Sequence, residues 1–253
     1  MSAQYDCADA QQREAGVSAA VSTVKAGGLV VLPTDTVYGL GADAFSPDAV
    51  AALLAAKGRG RNMPPPVLVG SVRAASALAE TLGAFGQDLI DEFWPGPLTL
   101  IFRASSTLKW DLGDTNGTVA IRMPLHPVAL ELLRRTGPLA VSSANKTGQE
   151  SATTADDAQR QLGEAVEVYL DGGPCADSVP STIVDLTAGT PRVLRVGAIS
   201  VDQLRKVATV IDLPPASPAS EPSAAQAAEA GASGEPAPAD EANPVGPADE
   251  AGS

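Results

Sequence analysis

Histidine and cysteine are nearly absent from this 253-residue chain, which holds one histidine, His126, and two cysteines, Cys7 and Cys175. That excludes a disulfide framework and a zinc-type ligand set, and no metal-ligating group of side chains is read from the sequence. No apolar run approaches the ~20 residues that cross a bilayer. The first sixteen residues lack the charged-then-apolar layout of a signal peptide. A soluble, cytoplasmic protein with no membrane partner is therefore expected. Basic residues are missing from Pro214 onward, a stretch with seven acidic residues, no aromatic and Val245 as its only branched aliphatic. Such a segment buries too little apolar surface to offset its ordering entropy. Residues 214–253 are thus read as a disordered acidic Ala/Pro-rich tail, and 1–213 as one folded domain. The tail takes seven of the thirteen net negative charges, leaving about −6 on the domain. A globule of that charge has no broad basic surface for nucleic acid, although a small cationic cavity is compatible with it.

What is present is an interleaving of two periodicities. Short runs rich in branched residues read as strands at 28–33, 67–69, 98–102, 118–123, 139–141, 166–170, 182–186 and 193–196. Helical patterns fall between them at 17–25, 72–82, 86–93, 127–135 and 155–162. Another starts with Ser46 as N-cap and Pro47 in first position, and ends at Lys57 before Gly58. A last one is capped by Ser200 with Gln203 three residues on. Strands alternating with helices predict an α/β domain. The alternation breaks between Leu98 and Met123, so the expected sheet is mixed.

Four clusters carry chemistry. Thr34-Asp35-Thr36 directly follows an apolar strand, where open α/β sheets bind ligands; the alternative is a hydroxyl- and Asx-type turn closing that strand. Lys57-Gly58-Arg59-Gly60-Arg61 places three cations among glycines, which suits phosphate oxygens. A helix C-terminus accounts for Lys57 equally well, but not for both arginines. The glycines do not form a GxxxxGK[ST] loop. Thr118, Ala120 and Arg122 share one face of a strand, and an arginine there needs a carboxylate or phosphate, from a ligand or from an internal Asp or Glu. Ser142-Ser143-Ala144-Asn145 follows another strand and either binds a ligand or caps a turn. Trp94-Pro95-Gly96-Pro97 reads as a rigid structural turn, and His126 as a capping residue. With no Cys–His or Ser–His–Asp set, covalent nucleophilic catalysis is not expected. Cations and hydroxyls without a nucleophile suit attack at a phosphate.

Taken in order, PTDTVYGLG (33–41), KGR (57–59), WPGPLT (94–99), TVAIRMP (118–124), SAN (143–145), STIVD (181–185) and LRVG (194–197) resemble the YrdC-like family of threonylcarbamoyl-adenylate synthases in its short, single-domain form. The resemblance spans residues 17–207. It implies an α/β domain with a twisted, mostly open mixed sheet flanked by helices around a cationic cavity. It also implies the reaction of L-threonine, bicarbonate and ATP, with Mg²⁺, to threonylcarbamoyl-AMP and pyrophosphate. That is the first step of threonylcarbamoyl modification of the adenosine beside the anticodon of ANN-decoding tRNAs, completed by a downstream threonylcarbamoyl-transferase complex, with tRNA contact itself an open possibility. By the same resemblance Thr36, Arg122 and Ser181 form the threonine pocket. Lys57 and Arg59 form a catalytic phosphate clamp facing Ser143 and Asn145, and Arg59, Thr118, Val141, Ser143, Asn145, Ser151 and Arg195 hold ATP. Many relatives have Asn and His where this chain has Met63 and Leu68. The rival readings are a paralogue of the same fold that only binds RNA, and a carbamoyl-transfer domain of the hydrogenase-maturation type. The second would sit beside paired cysteines that this chain lacks.

Overall fold

The computed structural model describes residues 2–175 and 179–208, and the backbone of 211–212. In chain order these residues form β1 Ala3–Asp6, α1 Ala10–Lys25, β2 Val30–Leu32, β3 Gly39–Asp43, α2 Pro47–Lys57 and β4 Val67–Leu68. There follow α3 Val72–Leu78, α4 Gly83–Phe93, β5 Leu98–Arg103, β6 Thr118–Arg122, α5 Pro127–Thr136 and β7 Leu139–Ser143. The last are α6 Ala155–Leu162, β8 Val168–Asp171, β9 Thr182–Asp185, β10 Arg192–Arg195, α7 Val201–Arg205 and β11 Ile211–Asp212. The expectation for 214–253 lies outside the described residues.

Local chemistry explains the helix ends. Ser46 Oγ accepts from Ala49 N, Pro47 opens α2, and Gly58 closes it at φ 68°, a left-handed cap that glycine adopts without strain. Ser200 and Gln203 form the reciprocal capping box of α7. Helix α1 begins seven residues before its apolar stripe does, because Asp9 accepts from Gln12 N at 2.8 Å and starts the helix there. Conversely, 72–82 is not one helix; α3 ends at Leu78 and α4 begins at Gly83.

The strands make one mixed sheet in the order β1-β8-β2-β3-β7-β4-β6-β5-β9-β10-β11. Strands β1, β3 and β11 fall outside the runs read as strands in the sequence. β1 is polar and is held by parallel pairing with β8. β3 reads GLGAD, yet pairs antiparallel with both β2 and β7. Gly39 is required there, since a Cβ would lie 2.6 Å from Val141 Cγ1.

Side-chain alternation splits the core into two layers. On one face Val31, Leu40, Val67, Ala140, Ile121 and Leu100 pack under α2, α3, α4 and α6. On the other, Val30, Leu32, Leu68, Leu139 and Val141 pack under α1 and α5. The second layer stops short. The same face of β6, β5 and β9 carries Thr118, Ala120, Ile101 and Ile183, all half-buried. That open half of the sheet is where the chemistry collects.

Candidate functional site

The loop from Pro33 to Val37 follows β2 and turns back into β3. Thr34 Oγ1 donates to Val37 O at 2.6 Å, and Thr36 N donates to Thr34 Oγ1 at 3.2 Å. This is the hydroxyl-closed turn that the sequence allowed, and it also aims Asp35 and Thr36 at Arg122. Tyr38, wholly buried, anchors the loop by donating from its hydroxyl to Gly173 O at 2.6 Å. Burial pushes the Tyr38 hydroxyl far above its ordinary pKa, so it serves as a fixed donor.

Arg122, at the end of β6 and 7% exposed, donates from Nε to Gly96 O (3.0 Å), from Nη1 to Thr36 Oγ1 (2.9 Å) and from Nη2 to Asp35 Oδ1 (2.6 Å). Burial pulls the guanidinium's pKa down and the Asp35 carboxylate opposes that pull. The arginine stays charged. The internal carboxylate anticipated for it is Asp35, and the Trp94–Pro97 turn contributes a carbonyl to the site as well as shape. Two of the five N–H groups of Arg122 remain for another acceptor.

At the same end of β5 and β9, Thr99 and Ser181 share a hydrogen bond of 2.8 Å, both buried. Arg195 of β10 donates from Nε (3.1 Å) and Nη2 (2.8 Å) to Ser181 O, and from Nη2 to Ser181 Oγ (3.2 Å). Arg122, Thr99, Ser181 and Arg195 thus form a row across four neighbouring strands on the open face. Thr99 was not singled out in the sequence. Its signal was a hydroxyl on the strand parity of Ile101, opposite the parity of Leu98, Leu100 and Phe102.

The second group lies where α2 meets the end of β7. Lys57 is 1% exposed, and its ammonium donates to Ser143 O, to Asn145 O (2.6 Å) and to Asn145 Oδ1 (3.4 Å). Asn145 is equally enclosed and donates from Nδ2 to Lys146 O and Gln149 O. Lys57 and Asn145, expected to face a phosphate, meet here with the ammonium among carbonyl oxygens, as a buried charge requires, and with the SAN turn wrapped around it. Lys57 and Asn145 shape the turn. Arg59, half-buried, stands nearer the surface and donates to Ser142 Oγ (3.0 Å) and Thr147 Oγ1 (3.2 Å).

The other expected contacts are dispersed. Ser143 is half-buried at the end of β7, on the strand parity of Val141. The Val141 side chain crowds Gly39, and its N–H donates to Pro66 O at 2.8 Å. Thr118 Oγ1 donates to Thr115 O at 2.8 Å, and Ser151 is exposed. Leu68 packs in the α1/α5 layer, in register between Arg122 and Leu139. Met63 lies in the turn before β4, where its N–H donates to Gly60 O. The loop of Arg61 is tied to another by a two-pronged bridge to Asp111 (2.8 and 2.9 Å). A cleft of about 240 Å³ between α2 and that bridge includes Arg59 in its wall and stands apart from the Arg122 row.

The two thiols are both protonated near neutrality. Burial, with Asp171 nearby, pushes the Cys7 thiol to about 11, and burial raises that of Cys175. Among the described residues, no three His, Cys, Asp or Glu side chains gather around a common point, and no helix is long and apolar enough to cross a membrane.

The described residues form an α/β sheet with one open half lined by arginines and hydroxyls, donors of the kind that suit anionic groups. The sequence model of the Sua5/YciO/YrdC family, described as telomere recombination, matches residues 22–197, and the chain belongs to that family. A Mycobacterium leprae protein, provisionally named a threonylcarbamoyl-AMP synthase, is 55% identical over 217 residues, 86% of this chain and 97% of its own length. The threonylcarbamoyl-AMP synthase of Pyrococcus abyssi is 36% identical over 78% of this chain, which spans 58% of that longer protein. The crystal structure of P. abyssi Sua5 complexed with L-threonine superposes with a TM-score of 0.75 at 32% identity, covering 83% of this chain and 62% of the other.

Proposed function

We propose that this protein condenses L-threonine, bicarbonate and ATP into threonylcarbamoyl-AMP and pyrophosphate. The observation that carries this reading is the buried Arg122, anchored by Asp35, Thr36 and Gly96, with two donors unspent on the open face. The names of the relatives support it, above all those matched over nearly their whole length.

In this reading the threonine carboxylate lies on Arg122, beside Thr36 and Ser181. The threonine amine takes up the carbon of bicarbonate as a carbamate, losing water and a proton. A carbamate oxygen then attacks the α-phosphorus of ATP, and pyrophosphate leaves with the bonding electrons. Arg59, Ser143, Thr118, Ser151 and Arg195 surround the nucleotide, while Lys57, Asn145 and the backbone at Val141 hold the walls in place. Electrostatic donors of this kind are worth about 10²–10³ each in rate. The residues fit a Mg²⁺ that arrives with ATP: they offer donors to phosphate oxygens, and the ion retains phosphate and water ligands without a protein cage. Bound there, Mg²⁺ would neutralise phosphate charge. The adenylate would pass to a transferase complex acting on tRNA, and the proposal sets this work in the cytoplasm.

The test is threonine-dependent pyrophosphate release by the purified full chain with ATP, bicarbonate and Mg²⁺. Release that is equal with serine or with no amino acid overturns the reading.

A further inference from the structure

Two buried side-chain atoms have no hydrogen-bond partner among the described residues, Asp35 Oδ2 and His126 Nδ1. They belong to one corner of the open face, since Leu125 N donates to Asp35 Oδ1 at 2.9 Å and His126 follows Leu125. Buried polar groups are almost always paired, so an unpaired one calls for a reason. Asp35 has the stronger claim, because an ionised carboxylate accepts only and carries about four lone-pair sites. Its Oδ1 already takes Arg122 Nη2 and Leu125 N, which is enough to position the arginine. A purely structural role leaves Oδ2 without a purpose.

Arg122 has two unspent N–H groups and Asp35 one unspent oxygen, on adjoining atoms of a single ion pair held at 2.6 Å. A donor pair beside an acceptor is the complement of an α-amino acid, whose carboxylate and amine are separated by one carbon. Building on the threonine reading above, we infer that Asp35 Oδ2 accepts the α-amine of the substrate while Arg122 takes its carboxylate. The ion pair then reads the zwitterion as a unit. The Asp35 side chain as a whole retains 12% exposure, although Oδ2 itself is enclosed. The side chain's terminal torsion is broad, and the amine contact requires only a small turn that keeps Oδ1 on Arg122 and Leu125. One N–H survives in the carbamate, so the contact persists after bicarbonate is taken up. This makes Asp35 a substrate-binding residue that distinguishes amino acids from hydroxy acids.

The experiment is titration calorimetry of the full-length protein with L-threonine and with (R)-3-hydroxybutyrate, which keeps the carboxylate and hydroxyl and lacks the amine. The wild type is expected to prefer threonine by about 10–100-fold, the worth of one charge-assisted hydrogen bond. Asp35→Asn keeps an oxygen for Arg122 and Leu125 but turns an NH₂ donor toward the amine. It is expected to weaken threonine by about that factor and leave (R)-3-hydroxybutyrate within about 3-fold of the wild type. Equal weakening of both ligands, or undiminished threonine binding, overturns the inference. The wild-type ratio stands whether or not the variant folds: a protein that binds both ligands alike refutes the amine contact alone. One that binds neither refutes the threonine reading as well.

Discussion

Lys57→Met separates a structural cation from a catalytic one. Met keeps most of the apolar stem inside the core and removes the ammonium that Ser143 O, Asn145 O and Asn145 Oδ1 surround. Each buried acceptor left without a donor costs about 1–3 kcal/mol. Against that stands the relief of no longer burying a charge, itself several kcal/mol. At about 2 kcal/mol for each of the three acceptors, less about 2–4 kcal/mol for the charge, the expected net loss is about 2–4 kcal/mol. For a domain of about 200 residues this lowers Tm by roughly 4–16 °C. Arg59→Ala is the companion variant. Arg59 is half-buried, nearer the surface than Lys57, so its removal is expected to lower Tm less than Lys57→Met does, while the rate of threonine-dependent pyrophosphate release drops about 10²–10³-fold. Thermal unfolding and turnover of both variants, measured side by side, give the answer. A Lys57→Met protein with the wild-type Tm and an activity loss equal to that of Arg59→Ala refutes the structural assignment and returns Lys57 to the phosphate.

Gly39→Ala forces a Cβ to within 2.6 Å of Val141 Cγ1 and is expected to cost about 1–3 kcal/mol in urea unfolding. Val141→Ala in the same chain should recover part of that cost, and a neutral Gly39→Ala would show that β3 is not held by this contact. Burial lowers the pKa of His126 below its ordinary 6.5, with Asp35 opposing. The unfolded chain therefore binds the proton first, and stability is lost as pH falls from 6.5 through the lower native value. His126→Gln should flatten the Tm profile between about pH 7 and 5.5, and a profile parallel to the wild type's would exclude this residue as the cause.

Helix α2 was legible to the residue, because Ser46, Pro47 and Gly58 each supply a local hydrogen bond or dihedral that needs nothing from the rest of the fold. Strand β3 was not, since GLGAD has the composition of a loop and is extended only because β2 and β7 pair with it on both sides. The site divides along the same line. The need of Arg122 for a carboxylate or phosphate partner followed from the cost of leaving a charge unpaired on a strand. The identity of that partner depended on a loop 87 residues away in sequence closing onto β6. Lys57 is the converse case. Three cations among glycines describe a phosphate loop and a capped helix equally well, and the turn at Asn145 that wraps the ammonium is a contact the sequence does not announce.

The open half of the sheet has the same origin. Helices α1 and α5 together cover β8, β2, β3, β7 and β4 and then run out, so the strands beyond them must carry side chains that tolerate water on that face. Thr118, Ala120 and Thr99 do so cheaply. Arg122 does so only with Asp35 beside it. What the chain leaves exposed is therefore a surface already supplied with donors, and a ligand that brings a carboxylate and an amine completes hydrogen bonds that the protein cannot complete alone.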